Sequence, residues 1–302
     1  MSREAHVRFW ESVGVRFPCA TRLPLYRIAM RLKRMGIELS DTLMSEWLLQ
    51  CADLLEEVRN RILKKVLATG HIFTDDTILP MQNDDPERRS VIKARLWVYA
   101  CHHRRQKPLV AYDFSRTRSQ AAPMAILKGY QGYIQADAYP AYDAIFLPGL
   151  PGRPPNAIEV ACMVHARRKF VEAAAVMKVP GRAHEAIAFI KRLYKIERHA
   201  KQNQLSDAER QTQRQEKSVP VLAEFKARLD RMAAVVLPKS ALGNAVFYAL
   251  RNWEALCRYT EQGYLEPDNN YSEQLMKPVA IGRNYAQSII MQSWVGVDSQ
   301  YA

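Results

Sequence analysis

Leu25, Ile28, Ala29 and Leu32 recur at three- and four-residue spacing, which predicts an amphipathic helix starting at Pro24 and ending near Met35-Gly36. Ser40 or Asp41 then caps a longer helix through Leu43, Trp47, Leu48, Cys51, Leu54, Leu55, Val58, Ile62 and Val66, stopped by Gly70. Such a pair reads either as a DNA-reading helix-turn-helix or as two helices packed on the next domain. The length of the second helix and its Glu56-Glu57 pair favour packing. Residues 1–20 carry little periodicity of either kind.

Past Gly70 the apolar period shortens to that of strands. His71–Asp75, Arg95–Ala100 and Pro108–Phe114 read as three short strands, separated by the polar connectors Asn83–Pro86 and Arg104–Lys107 and suggesting an antiparallel meander. Ser119–Lys128 predicts a helix with Gly129 as its stop. A fourth strand follows at Gly132–Asp137. After the Gly/Pro-rich loop Pro148–Pro155, Ala157–Cys162 reads as a fifth. The order of three strands, helix, strand, helix, strand fits an α/β fold, a ribonuclease-H-like mixed sheet with helices on its faces.

From about residue 163 to 262 the pattern is helical almost throughout. Ala186, Phe189, Ile190, Leu193 and Tyr194 form one apolar stripe, and Leu242, Val246, Ala249, Leu250, Trp253, Leu256 and Cys257 another. Between them, Lys201–Lys217 is polar and charged, and reads as a solvated helix or mobile connector.

Composition narrows the partners. With 48% apolar residues the chain can bury a core, and 302 residues suggest about two domains. No run approaches the ~18 apolar residues of a membrane span, and Met1–His6 leads into no signal-peptide core. Five scattered cysteines (Cys19, Cys51, Cys101, Cys162, Cys257) without a CxxC pair argue against a disulfide framework or zinc ribbon, so a reducing cytoplasm is expected. A net charge of +13, from 44 Lys+Arg against 31 Asp+Glu, favours a polyanionic partner, nucleic acid first.

In a basic chain the acids at strand ends and helix starts are informative. Asp75 and Asp76 close the first predicted strand, Asp137 ends the fourth, and Asp268 and Glu273 flank Asn269-Asn270 where a helix would begin. Carboxylates from separate segments suit two magnesium ions, which take oxygen ligands and can assist an in-line phosphoryl displacement. Taken singly, a strand-end Asp is commonly a turn former and Asp268 a helix cap.

Five motifs stand in order: Thr74-Asp75-Asp76-Thr77, Arg95-Leu96-Trp97-Val98-Tyr99, Gln135-Ala136-Asp137-Ala138-Tyr139, Cys162-Met163-Val164-His165-Ala166-Arg167-Arg168-Lys169-Phe170 and Asp268-Asn269-Asn270-Tyr271-Ser272-Glu273. With them the chain resembles the insertion-sequence sixty-six (IS-sixty-six) family of bacterial DDE-type transposases, from Leu23 to about Asn284. The resemblance implies a ribonuclease-H-like core in which Asp75, Asp137 and Glu273 are catalytic and bind two Mg²⁺ or Mn²⁺ ions. It places the catalytic acid at the first of the Asp75-Asp76 pair, and strand alternation turns these two to opposite faces. The implied organisation is an N-terminal helical segment (1–69), a first core part (70–165), a large all-helical insertion (166–265) and a last segment (266–302) carrying the third acid. The gap of 136 residues between Asp137 and Glu273 has room for that insertion.

The implied partners are DNA, as element ends and target, a second copy of the chain on DNA, and accessory element-encoded proteins, with no membrane and a bacterial cytoplasmic location. Arg167, Arg168, Lys169, Lys277 and Arg283 are candidate phosphate contacts, as are Lys191, Arg192, Lys195 and Arg198. Gln274 and Lys277 stand where the family more often has arginines. Cys162 and His165 are accessory candidates; a lone CxxH supplies only two of the four ligands of a structural zinc site. The cysteine-rich zinc motif and DNA-binding helical segment that the family typically carries are not visible, and residues 1–20 and Tyr285–Ala302 leave its pattern. The expectation is thus the catalytic part of a transposase, in an active or a truncated, inactive copy. The alternatives are a DNA-binding remnant whose acids no longer assemble, and a metal nuclease of the same fold without strand transfer.

Overall fold

A computed structural model describes residues 25–82, 90–101, 108–146, 157–176 and 179–282. Helix α1 spans Leu25–Arg34 and α2 Asp41–Leu67. Gly36, at φ +80°, turns the chain after α1, and the Ser40 hydroxyl caps α2 by accepting the Leu43 N–H at 3.1 Å. Five strands follow: β1 His71–Gln82, β2 Val91–Cys101, β3 Leu109–Ser115, β4 Gly132–Ala136 and β5 Ala157–Ala161. Helix α3 (Ala121–Leu127) precedes β4, and a 3₁₀ turn (Pro140–Tyr142) with the short α4 (Asp143–Phe146) follows it. The remaining helices are α5 Met163–Ala175, α6 Arg182–Gln202, α7 Asp207–Gln213, α8 Val219–Ala233, α9 Ala241–Arg251, α10 Trp253–Cys257 and α11 Asn270–Gly282. A π-helical turn, Arg214–Ser218, links α7 to α8. No helix among the described residues is long and apolar enough to cross a membrane.

The sheet runs β3-β2-β1-β4-β5. β2 and β3 pair antiparallel, whereas β1–β4 and β4–β5 are parallel. The chain divides into two compact units. The smaller contains α1, α2 up to Val58, the far ends of β1 and β2, and α11 from Lys277. The larger, Arg59–Thr77 with Arg95–Met276, holds the body of the sheet and the helices from α3 to the first half of α11.

Strand alternation sorts the larger unit's core. Ile72, Trp97, Tyr99, Ile134 and Ala136 face one way, against Leu63 and Val66 of α2 and Leu127 of α3. Val98, Ala100, Val110 and Tyr112 face the other way, against Tyr271, Leu275 and Met276 of α11. The helices after β5 build a separate core around Phe170, Ile190, Phe225, Leu229 and Val246, joined by Val160 of β5. β4 starts at Gly132, where φ is +132° and a Cβ would stand 2.5 Å from the Gly70 carbonyl oxygen. Gly132→Ala is expected to lose about 1–3 kcal/mol of stability from backbone strain alone, read as a lowered melting temperature.

Two expectations change. β1 does not close at Asp75-Asp76 but continues to Gln82. The Asp76 carboxylate is paired with two arginines, so an acid pair that reads as a turn is accommodated within an extended chain. The charged stretch Lys201–Lys217 is largely an exposed helix, as expected, but it is anchored in the interior at two arginines. Arg210 and Arg214 are 3% and 1% exposed, with Glu197 of α6 between them. Arg214 donates to both Glu197 oxygens at 2.8 and 2.7 Å, and Arg210 Nη2 to Oε2 at 3.0 Å. Paired charges can be interior, and apolar periodicity cannot reveal that.

Candidate active site

The β1–β4 ladder pairs His71 with Tyr133, Ile72 with Ile134 and Phe73 with Gln135, a constant offset of 62 residues. Carried two residues on, that offset sets Asp75 opposite Asp137, one residue past the end of β4. Register partners in a parallel pair point to the same face, so the two carboxylates lie side by side. Burial pushes the Asp75 carboxyl up to about 7, reinforced by the negative charge of Asp137 and, less, of Asp76 and Glu273. Asp137 is also raised, mainly by burial and against the favourable influence of His165. The residue after Asp137, Ala138, has φ +56°, a left-handed conformation that costs an alanine roughly 1–2 kcal/mol.

Asp76, the rival for the first position, faces the opposite way. Its carboxylate accepts from Arg95 Nη1 at 2.9 Å and from Arg118 Nη2 at 2.8 Å. Arg118 in turn lies 3.5 Å over the ring of Tyr139. Both Asp76 oxygens are thus taken up by arginines, whereas Asp75 feels the negative charges of Asp137 and Glu273.

Glu273 comes from the first turn of α11, where the helix dipole favours an acid. The segment leading to it is tied down chiefly through its backbone. Arg214 Nη1 donates to the carbonyls of Tyr259 and Gln262, both at 2.8 Å. Gln135 Nε2 donates to those of Glu266 and Asp268, and Pro267 accepts the Met163 N–H at 2.9 Å. Asn269 Nδ2 donates to the Thr74 carbonyl at 2.9 Å. Asp268 does not begin the helix; it accepts the Asn270 N–H at 3.1 Å and the Tyr194 hydroxyl at 2.8 Å. The sequence marked Gln135 and Asn269 only as motif letters. The recoverable signal was a glutamine inside an apolar strand, two positions before an acid on the same face.

Two side chains of α5 join Glu273. His165 Nε2 is 3.8 Å and Arg168 Nη2 3.9 Å from Glu273 Oε1, with the Arg168 side chain 55% exposed. Burial lowers the His165 pKa, against the opposing pull of Asp137 and Glu273. Cys162 does not share the site: its Sγ accepts the Asn269 N–H at 3.2 Å, and burial pushes its thiol up to about 12. The pair therefore diverges, one to the core and one to the acids. Lys169 Nζ stands 4.7 Å over the Tyr248 ring, and Arg167 is half-buried. Lys191, Lys195 and Arg198 are exposed along α6, and Arg192 pairs with Glu224 at 2.7 Å. Gln274 and Lys277 are exposed on α11; Arg283 lies outside the described residues.

A sequence profile described as "Transposase IS66 family" matches residues 16–292. The chain belongs to this family. The match reaches into residues 1–20 and beyond Asn284, so the family pattern extends past both limits read from the motifs. Three uncharacterized proteins of Sinorhizobium fredii (strain NBRC 101917 / NGR234) are similar to this transposase-family chain. They are y4jD at 34% identity, y4qI at 31% and y4hP at 30%, over 86–87% of this chain. The chain spans about half the length of these relatives, 52%, 49% and 48% respectively.

Among the described residues, no three His, Cys, Asp or Glu side chains close around one point as a metal cage. The donor chemistry in this family member nonetheless suits a hard divalent cation: carboxylate oxygens, with Asp75 raised mainly by burial and further by the negative charge of Asp137. Mutual repulsion of that kind is what a cation relieves.

Proposed function

We propose that this chain is the catalytic part of a DDE-type DNA transposase, with Asp75, Asp137 and Glu273 as its metal-binding triad. The observation that carries the reading is the 62-residue ladder offset, which equals the spacing of the two aspartates and, continued two residues on, supports their sharing one face. The order β3-β2-β1-β4-β5, with a parallel β1-β4-β5 half and an antiparallel β2-β3 edge, supports a ribonuclease-H-like core. The helices from α5 to α10 then form the insertion between second and third acids. Two Mg²⁺ or Mn²⁺ ions, when bound, would activate the attacking oxygen and stabilise the leaving one.

In the first step a water oxygen attacks a phosphorus at the element end. The P–O3′ bond breaks, and the departing oxygen takes a proton to become a 3′-OH. In the second step that 3′-oxygen attacks a target phosphodiester and loses its proton to solvent, while the target's own 3′-oxygen is displaced and takes a proton from solvent to become a 3′-OH. Asp75 and Asp137 would hold the cations from β1 and the end of β4 and Glu273 from α11, while His165 would offer a polar contact beside Glu273. Arg168 and Lys169, with the exposed bases of α6, would contact backbone phosphates, which position a duplex without reading its bases. A second copy on DNA and accessory element-encoded proteins belong to the same reading.

A labelled duplex carrying the element's ends, incubated with the chain and Mg²⁺, tests this. Nicked and joined products are expected. Nicks without joining would favour a plain nuclease, and salt-sensitive binding without any cutting a DNA-binding remnant.

The pH dependence has a defined sign. A proton on Asp75 competes with the cation, and its carboxyl titrates near 7. Mn²⁺ affinity should therefore rise with pH and be roughly tenfold weaker at pH 6 than at pH 8. A flat profile between those values would contradict the crowding of Asp75.

A further inference from the structure

Resting on the reading that Asp75, Asp137 and Glu273 form one carboxylate site, we propose that Asn269 is a positioning residue that sets the helix carrying Glu273 against the strand carrying Asp75. Asn269 is fully buried, at 0% exposure. Its Nδ2 donates at 2.9 Å to the carbonyl of Thr74, the residue immediately before Asp75. Its own N–H donates to Cys162 Sγ at 3.2 Å, at the junction of β5 and α5. Its carbonyl accepts the Ser272 hydroxyl at 2.9 Å and the Glu273 N–H at 3.3 Å. One side chain and its backbone thus touch β1 beside the first acid, the start of the helix bearing His165, and the amide of the third acid.

The chemistry calls for an amide. Burying a polar group is unfavourable unless it is hydrogen-bonded, so an apolar residue would serve a purely space-filling role better. Alanine and serine lack the reach to the Thr74 carbonyl, and aspartate would turn an acceptor towards an acceptor. Gln135 holds the same segment from β4, through the Glu266 and Asp268 carbonyls, but does not reach α11 itself. Losing the Asn269 bond leaves the segment attached while freeing the angle at which Glu273 approaches.

The test is Mn²⁺ binding to the full chain, followed by electron paramagnetic resonance alongside a thermal melt. Asn269→Ala and Asn269→Asp are expected to bind Mn²⁺ about 10–100-fold more weakly than the wild type, with a changed bound-ion spectrum. Leu229→Ala, a truncation in the helical core away from the acids, should lower the melting temperature and leave Mn²⁺ affinity and spectrum unchanged. Wild-type affinity and spectrum in both Asn269 variants would overturn the proposal. So would loss of folding in both, because the amide would then hold the fold rather than the site. If the wild type itself binds no Mn²⁺, the underlying reading of the three carboxylates falls, an outcome separate from any difference among variants.

Discussion

Under the proposed function, Asp137→Asn is expected to reduce magnesium-dependent nicking by about 10²–10³-fold, the scale on which removal of one charge-stabilising group acts in an active site. The substitution preserves volume, so the fold should persist. Tyr248 donates its hydroxyl to the Asp137 backbone carbonyl at 3.2 Å, a bond the variant retains. DNA binding should remain, with the same salt dependence, because the basic residues of α5 and α6 are untouched. The neighbouring Asp75, now held up mainly by its burial, should titrate lower once the adjacent negative charge is gone. Nicking at wild-type rate by Asp137→Asn would remove this aspartate from the chemistry.

The largest effect on stability is expected at Glu197. Its carboxylate is the shared partner of Arg210 and Arg214, whose side chains are 3% and 1% exposed. Glu197→Ala removes the carboxylate that both share, leaving Arg210 only Glu266 at 3.4 Å and Arg214 only the Tyr259 and Gln262 carbonyls, and breaking a buried pair in this way typically loses about 3–5 kcal/mol. For a domain of 150–250 residues that corresponds to a drop in melting temperature of roughly 6–20 °C. Replacing Glu197, Arg210 and Arg214 together by apolar residues of similar volume should recover only part of the loss, because the Tyr259 and Gln262 carbonyls then lose their donor. A drop of under about 1 kcal/mol in the single variant would show that water reaches the cluster.

The element order was largely legible, because it rests on periodicity. The 3.6-residue stripe of α6, the continuous apolar run of β2 and the turn at Gly36 each follow a local rule that a short window contains. The acids were legible as candidates because carboxylates are the minority charge in this chain, although Asp75-Asp76 lies inside β1 and not at its end. What stayed hidden was every feature made by partners distant in sequence. Arg214 reaches across 48 residues to the Gln262 carbonyl, and Asn269 across 195 to that of Thr74. No window places such residues together. The length of β1 was misread because Asp75-Asp76 resembles a turn until Arg95 and Arg118 are known to neutralise the second acid. Cys162 and His165 looked like a ligand pair by spacing, but the step from strand into α5 sends them apart.

The grip on residues 259–268 falls mostly on peptide groups. The carbonyls of Tyr259, Gln262, Glu266, Pro267 and Asp268 all accept bonds from elsewhere in the molecule. Peptide oxygens are common to every amino acid, so this stretch can exchange many of its side chains and still deliver Glu273 to the same place. The donors that do the holding, Arg214, Gln135 and Asn269, have no such latitude. Sequence drift between copies of this chain should accordingly collect on the strap and spare its clasps.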